Sequence, residues 1–431
     1  MFSKYLISKN SIINFFICFI PVTYITGNLL LNLNILLLLI AFFSLFKLDI
    51  FKFQINLIDK LIIIFFLYVF INGVINNYFN FNYANEKNVI LIKALAYTRF
   101  LILYFIFRYL IHNNFINYKL LFLSFGFLAL FVSVDIIFQF FFRVDFFGFE
   151  APIDHRRLAG PFGDEWIAGS FIQRFYLFLV FYFLIFSKFK KDFTLNYINS
   201  FILFLSFLGV MMSGNRIPAV MFILSLFLIM IFEKSLRRNL AVMFVVFFTS
   251  IYFFINNNEI IKTHYLGLEK KGVAFLNYYI NKYSPNSKTQ VKIPNSYVKE
   301  IESGIATWQQ NKIFGGGIKS FYYNCSKINT SISSYGCSSH PHNYYVQLAA
   351  ELGLIGLLLT FVIFAFIIIR SLKLFFIRHQ FFEKKILLTF TILFLLEIFP
   401  FKTTGSFFTT TNATFLFILM PFIVGLTELR K

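Results

Sequence analysis

Apolar residues run along this chain in blocks of roughly twenty, each closed by charges, Asn or a Pro-Gly break. A helix of about that length crosses the hydrocarbon core of a bilayer, so each block predicts a membrane helix. The blocks fall near 11–27, 29–46, 60–76, 89–111, 119–142, 167–187, 197–214, 217–233, 239–256, 344–369, 386–400 and 412–427. Three polar segments separate them at 143–166, 257–343 and 401–411. The second is the longest, rich in Asn, Tyr, Ser and Lys, with Pro285, Pro294 and the run Gly315-Gly316-Gly317.

Composition agrees with the pattern. Hydrophobic residues make up 58% of the 431 and charged ones 13%. That is about half the charge density of a soluble protein, too little to cover a water-exposed body. The formal charge of +20 would point to nucleic acid in a soluble chain. In a membrane chain basic residues collect in cytoplasmic loops instead, and no nucleic-acid partner is expected. The richness in Phe, 68 residues beside abundant Ile, Asn and Lys, reads as coding bias and is assigned no function.

Orientation follows from short basic loops. Lys188, Lys190 and Lys191, then Lys234, Arg237 and Arg238, then Arg370, Lys373, Arg378, Lys384 and Lys385 mark alternate loops as cytoplasmic. Both termini fall on that side, and the three polar segments on the other. The expectation is an all-α polytopic membrane protein of about twelve transmembrane helices. It divides into an N-terminal bundle at 1–256, an extracytoplasmic lobe at 257–343 and C-terminal helices at 344–431.

Cys325 and Cys337 both lie in that lobe, twelve positions apart, in a compartment where disulfides persist. A bridge is expected, contributing about 2–3 kcal/mol for a loop of that size. Cys18 sits in the first apolar block as a packed thiol. No paired CxxC spacing marks a zinc site, and no metal or cofactor is expected.

Ionisable residues inside or at the ends of spans are costly, which makes them candidates for function. In Met211-Met212-Ser213-Gly214-Asn215-Arg216-Ile217-Pro218, a cation stands at a tight extracytoplasmic break, against the orientation rule. Its guanidinium suits a phosphate or diphosphate, helped by free backbone donors at the next helix start. The alternative is an interface anchor.

His340-Pro341-His342-Asn343 stands where the lobe re-enters the membrane. A near-neutral histidine there is the usual base for a hydroxyl proton. Metal ligation is the competing reading, although an i, i+2 spacing across Pro is not a familiar ligand pattern. Gly353 and Gly356 suit close packing of the helix that presents His342. Arg156 and Arg157 precede Gly160-Pro161-Phe162-Gly163-Asp164-Glu165 in the first extracytoplasmic loop, as solvated turn charge or as anion contacts. Lys93, Arg99, Arg174 and Glu397 are further intramembrane charges, and Glu397 with Lys402 could form a structural pair.

These residues resemble the O-antigen ligase and polymerase superfamily of bacterial inner-membrane proteins. Its ligase signature is His, then Asn/Ser/Gln, nine arbitrary residues, Gly, two more, then Gly/Thr/Tyr. His342-Asn343, the nine residues 344–352, Gly353 and Gly356 fill it. Ser213-Gly214-Asn215-Arg216 is similar to the family's span-end arginine, and Trp308 through Phe314-Gly315-Gly316-Gly317 to its Trp…Phe-Gly-x-Gly stretch. The resemblance is strongest over 155–357. One departure is the absence of a second arginine shortly before Trp308; Lys299, Lys319, Arg156, Arg157 or Arg174 would have to supply that charge.

The resemblance implies a metal-independent, inverting glycosyltransferase of the C type (GT-C) working at the periplasmic face. The donor would be a glycan on undecaprenyl diphosphate, and the acceptor a lipid A-core or glycan hydroxyl. Arg216 would hold the diphosphate and His342 would take the acceptor proton, with Asn343, His340, Arg156, Arg157, Arg174 and Lys319 as substrate contacts. Ligase is the leading reading, ahead of polymerase and of protein O-glycan ligase. A secondary transporter or flippase would share the composition, but one large lobe and polar candidates at the rim rather than the midplane argue against it.

Overall fold

The computed structural model describes residues 9–47, 52–79, 88–152, 157–187, 192–257, 259–284, 295–326, 337–377, 380–403 and 405–428. Among these residues the chain is helical throughout, with no strand and a single isolated bridge between Val144 and Glu150. The helices are α1 (Lys9–Ile25), α2 (Asn28–Phe46), α3 (Leu57–Phe79), α4 (Val89–Tyr97), α5 (Arg99–His112), α6 (Tyr118–Phe142), α7 (Ala168–Phe186) and α8 (Asp192–Met212). They continue as α9 (Arg216–Phe232), α10 (Arg237–Asn257), α11 (Glu259–Lys282), α12 (Ser296–Gln310), α13 (Phe321–Cys325), α14 (Tyr344–Ile377), α15 (Phe381–Glu397) and α16 (Thr410–Leu426).

Each apolar block of the sequence is thus helix, the fourth divided at Thr98 into α4 and α5. Among the described residues, six helical stretches are long and apolar enough to cross a membrane: Asn28–Phe46, Leu57–Tyr78, Val89–His112, Tyr118–Phe142, Ala168–Phe186 and Tyr344–Ile377. The pair α9 and α10, bent by 112° at their junction, would add a seventh if it forms one span. α1 and α16 are apolar but only 17 residues each. The chain is a polytopic helical membrane protein.

α6 and α7 form the centre, closed around by α1, α8 and α15, while α16 packs along α5. Phe122, Phe125, Phe175, Phe178 and Phe390 interlock there, mostly edge to face, a geometry that matches positive ring edges to negative faces. At one end of the bundle, Arg108 on α5 is fully buried and donates from Nε to Asp59 on α3 at 3.0 Å. Glu428, beyond α16, pairs with the same guanidinium. An unpaired buried charge is expensive, so this cluster ties three helix ends together.

At the opposite end, α14 contains a break that sequence spacing did not suggest. Gly353 stands at φ 66°, ψ −168° inside the run, so the small residue serves a kink rather than packing within a continuous helix. Two helical bonds are thereby opened, and their free groups pair with the loop 312–317. Gly316 and Gly317 donate to Ala350 and Glu351 carbonyls at 3.2 and 2.7 Å, while Leu354 and Ile355 donate to Lys312 and Ile313 at 2.9 and 3.3 Å. At Gly356 a Cβ would stand 3.2 Å from the Tyr68 ring of α3.

Candidate functional site

The end of the bundle that carries this kink also gathers the starts of α7, α9 and α14. The 213–215 break and the first turn of α7 approach so closely that a Cβ at Gly169 would stand 2.4 Å from Ser213 Oγ. Leu158 donates to the Ser213 carbonyl at 3.2 Å, which lays the preceding loop over the same break. Arg216 opens α9 there, with α11 across from it: a Cβ at Gly267 of α11 would stand 3.6 Å from Arg216 Nη2, and Tyr265 donates to the Met211 carbonyl at 2.9 Å.

Arg174, one turn further along α7, occupies a different environment from the one expected. It is buried and donates to both oxygens of Glu397 at 3.1 and 2.8 Å and to Asn412 Oδ1 at 2.5 Å. Lys402 Nζ and the Tyr344 hydroxyl also donate to Glu397, at 2.5 and 2.6 Å. Arg174 is therefore part of a network joining α7, α14, α15 and α16, because a cation at that depth needs a carboxylate. Through Tyr344 the same network fixes the start of α14, two residues from His342.

Local chemistry explains the shape of the His340–Asn343 turn. Asn343 Oδ1 accepts from the backbone N–H of Tyr345 and Val346 at 3.0 and 3.1 Å, capping α14, and its amide donates to the Pro400 carbonyl at 2.7 Å. Asn343, expected as a substrate contact, is thus engaged in holding the turn. His342 sits just before the cap in a left-handed conformation, φ 51°, uncommon for a residue with a Cβ. Its ring lies 4.2 Å from that of His340, centroid to centroid.

A carboxylate completes this group. Glu300, on α12, has its Oε1 3.7 Å from His342 Nε2. α12 can lie this close because Gly304, one turn on, faces Pro341 and Val346; a Cβ there would be 2.9 and 2.3 Å from their side chains. Lys282 on α11 pairs with the buried Glu302 at 2.5 Å and fixes the rotation of α12. Glu300 was not among the sequence candidates. Its spacing of four from Gly304 placed both on one helical face, but nothing local related that face to His342.

Burial sets the protonation states. It pulls the His342 imidazole below its ordinary range, leaving it neutral at pH 7. His340 falls to about 3, through burial and then through the neighbouring His342 and Lys319. Glu300 is raised by burial to about 7. Lys319, lowered by burial, donates from its backbone to Glu351 at 2.7 Å and from Nζ to Ser406 at 3.4 Å. It belongs with the histidines.

Of the remaining candidates, Arg157 lies over the Trp166 ring at 5.6 Å, and Arg156 lies outside the described residues. Cys325 and Cys337 form a disulfide with Cα atoms 5.7 Å apart, and Cys325 packs with Phe321, Ala350 and Trp308. That small core braces the lobe against α14. Trp308 Nε1 donates to the Lys312 carbonyl at 2.9 Å, linking α12 to the kink-binding loop.

An apolar cavity of about 430 Å³ begins at Tyr345 and Pro400, beside the Asn343 cap, and runs between Leu224 and Leu228 of α9 and Phe361 and Phe364 of α14. A larger cavity of about 1120 Å³, between α1 and the start of α6, lies at the other end of α6 from this site.

The fold and site define a helical membrane protein with a neutral histidine, a carboxylate and cations at one end of the bundle, above an apolar cavity. Residues 201–361 match the family model described as O-antigen ligase. The match runs from α8 through the Arg216 break, the lobe, His342 and Gly353 into α14, so the similarity covers the part of the chain that holds the candidate site. No curated protein matches the chain.

Proposed function

We propose that the protein is an O-antigen ligase of the bacterial inner membrane, transferring a glycan from undecaprenyl diphosphate to a sugar hydroxyl of lipid A-core. In this reading about twelve helices cross the bilayer, as in a GT-C enzyme, and both termini are cytoplasmic. The bundle 1–256, the periplasmic lobe 257–343 and the helices 344–431 are its three parts. The observation that carries the proposal is the neutral His342 held at the mouth of α14, on a turn fixed by the Asn343 cap.

His342 takes the proton of the acceptor hydroxyl as its oxygen attacks the anomeric carbon. The bond from that carbon to the diphosphate breaks in the same inverting, metal-independent displacement. Arg216, at the N-terminus of α9, offsets the charge left on the diphosphate. The apolar cavity beside the cap accommodates hydrocarbon next to the reacting end of the lipid-linked donor. Lys319, and Arg157 on the loop over the 213–215 break, supply further positive charge.

Deleting the gene in its host and separating lipopolysaccharide by size tests this. Loss of all glycan on lipid A-core, with chains accumulating on undecaprenyl diphosphate, is the expected result. Cores capped by one repeat would make the enzyme a polymerase, acting on a second lipid-linked repeat. An unchanged ladder would overturn both and redirect attention to protein acceptors or transport.

A further inference from the structure

The sequence offers no partner for the base, and acid–base catalysis by histidine gains from a group that fixes which ring nitrogen carries the proton. Glu300 is the one carboxylate in contact with His342 among the described residues, and it comes from a different element, α12. Its side chain is 21% exposed and that of His342 is 34%, so solvent screens the pair only in part. Three features outside the pair hold it in register. Gly304 lets α12 lie against Pro341, Lys282 bonds Glu302 from the neighbouring α11, and Asn343 caps α14 on the other side.

We infer that Glu300 is the positioning residue for His342, accepting the Nε2–H so that Nδ1 carries the lone pair toward the acceptor hydroxyl. The inference rests on the proposed transferase reading and deepens it. At 3.7 Å the contact is longer than a hydrogen bond. It shortens when the ring becomes an imidazolium, since the pair then gains a full Coulombic attraction. Atoms balance simply: the acceptor proton moves to Nδ1, the new carbon–oxygen bond forms, and the carbon–oxygen bond to the diphosphate breaks with its electrons leaving on phosphate. Glu300 keeps its own charge throughout and stabilises the imidazolium. The proton is lost to water after the glycosylated acceptor departs.

The neighbouring His340, its ring tilted 41° to that of His342, does not fill this role. Its Nδ1 is engaged with Ser339 Oγ at 2.9 Å, and it stands beside the cationic Lys319, which disfavours a charged ring.

The test uses full-length protein in native membranes, supplied with the host's undecaprenyl-diphosphate glycan and glycan-free lipopolysaccharide. Wild type, Glu300→Gln, Glu300→Asp and His342→Ala are compared for kcat, KM for donor and thermal unfolding. The expected result is that Glu300→Gln lowers kcat by about a hundredfold, the low end of acid–base contributions, with donor KM and melting unchanged. Glu300→Asp should recover part of that loss. If His342→Ala is inactive while Glu300→Gln turns over like wild type, the inference fails and the base acts without it. A fully active His342→Ala would overturn the transferase reading itself. Should Glu300→Gln lower melting and expression together with kcat, and Glu300→Asp fail to recover turnover, the residue is structural and the inference is again wrong.

Discussion

Replacing Gly353 by Ala isolates the kink that joins the lobe to α14. If the kink persists, the new methyl group stands 2.2 Å from the Ile313 carbonyl oxygen and 2.6 Å from Gly315 N. The conformation at φ 66°, ψ −168° also belongs to a region used almost only by glycine, at a cost of about 1–3 kcal/mol. The alternative is to straighten the helix. Leu354 and Ile355 would then bond back to Ala350 and Glu351, regaining two helical bonds, while the four bonds that now dock residues 312–317 are lost.

Two net hydrogen bonds lost cost about 1–3 kcal/mol, and loop groups left buried without partners add more. By either route Gly353→Ala destabilises the lobe contact by about 3 kcal/mol. Trypsin in detergent reads this directly, because Lys312 and Lys319 flank the docked glycines. The variant should be cut there many times faster and should melt earlier. It should also lose transfer activity, since the loop carries Lys319 toward His340. Wild-type protection, melting and turnover in Gly353→Ala would refute the assignment of this glycine to backbone docking.

Three further outcomes are expected. A carboxyl held near 7 by burial is neutral below that pH and ionised above it, so kcat/KM should rise as pH increases through about 7. The titratable group in contact with it is His342, which is lowered by burial and has the lowered His340 ring beside it, with Lys319 next to His340; on its own helix Glu302 is paired with Lys282. Glu300→Gln should flatten that limb, and a limb that persists at the same pH would assign it elsewhere. Arg174→Ala leaves Glu397 with Lys402 and Tyr344 alone and should cost about 3–5 kcal/mol in thermal unfolding; unchanged melting with only a raised donor KM would restore it as a substrate contact. Cys325→Ser should lower stability by about 2–3 kcal/mol and abolish the sensitivity of melting to reductant, and a wild-type protein indifferent to reductant would contradict that.

Much of this protein was legible along the chain. Hydrophobic runs of bilayer length predicted its helices, because backbone groups in lipid must be satisfied within their own segment and only helix does that locally. Arg216 and His342 stood out for the same reason, as polar residues at span ends where polarity is costly. What sequence could not decide was which charges meet. Arg174 and Glu397 lie 223 positions apart, and Glu300 and His342 come from separate elements, so only packing of α7 on α15 and of α12 on α14 determines their pairing. Gly353 shows the same division. Its spacing from His342 was readable, but its positive φ arises from carbonyls that leave their own helix to bind a loop nearly forty residues earlier, a choice that depends on tertiary contact rather than local propensity.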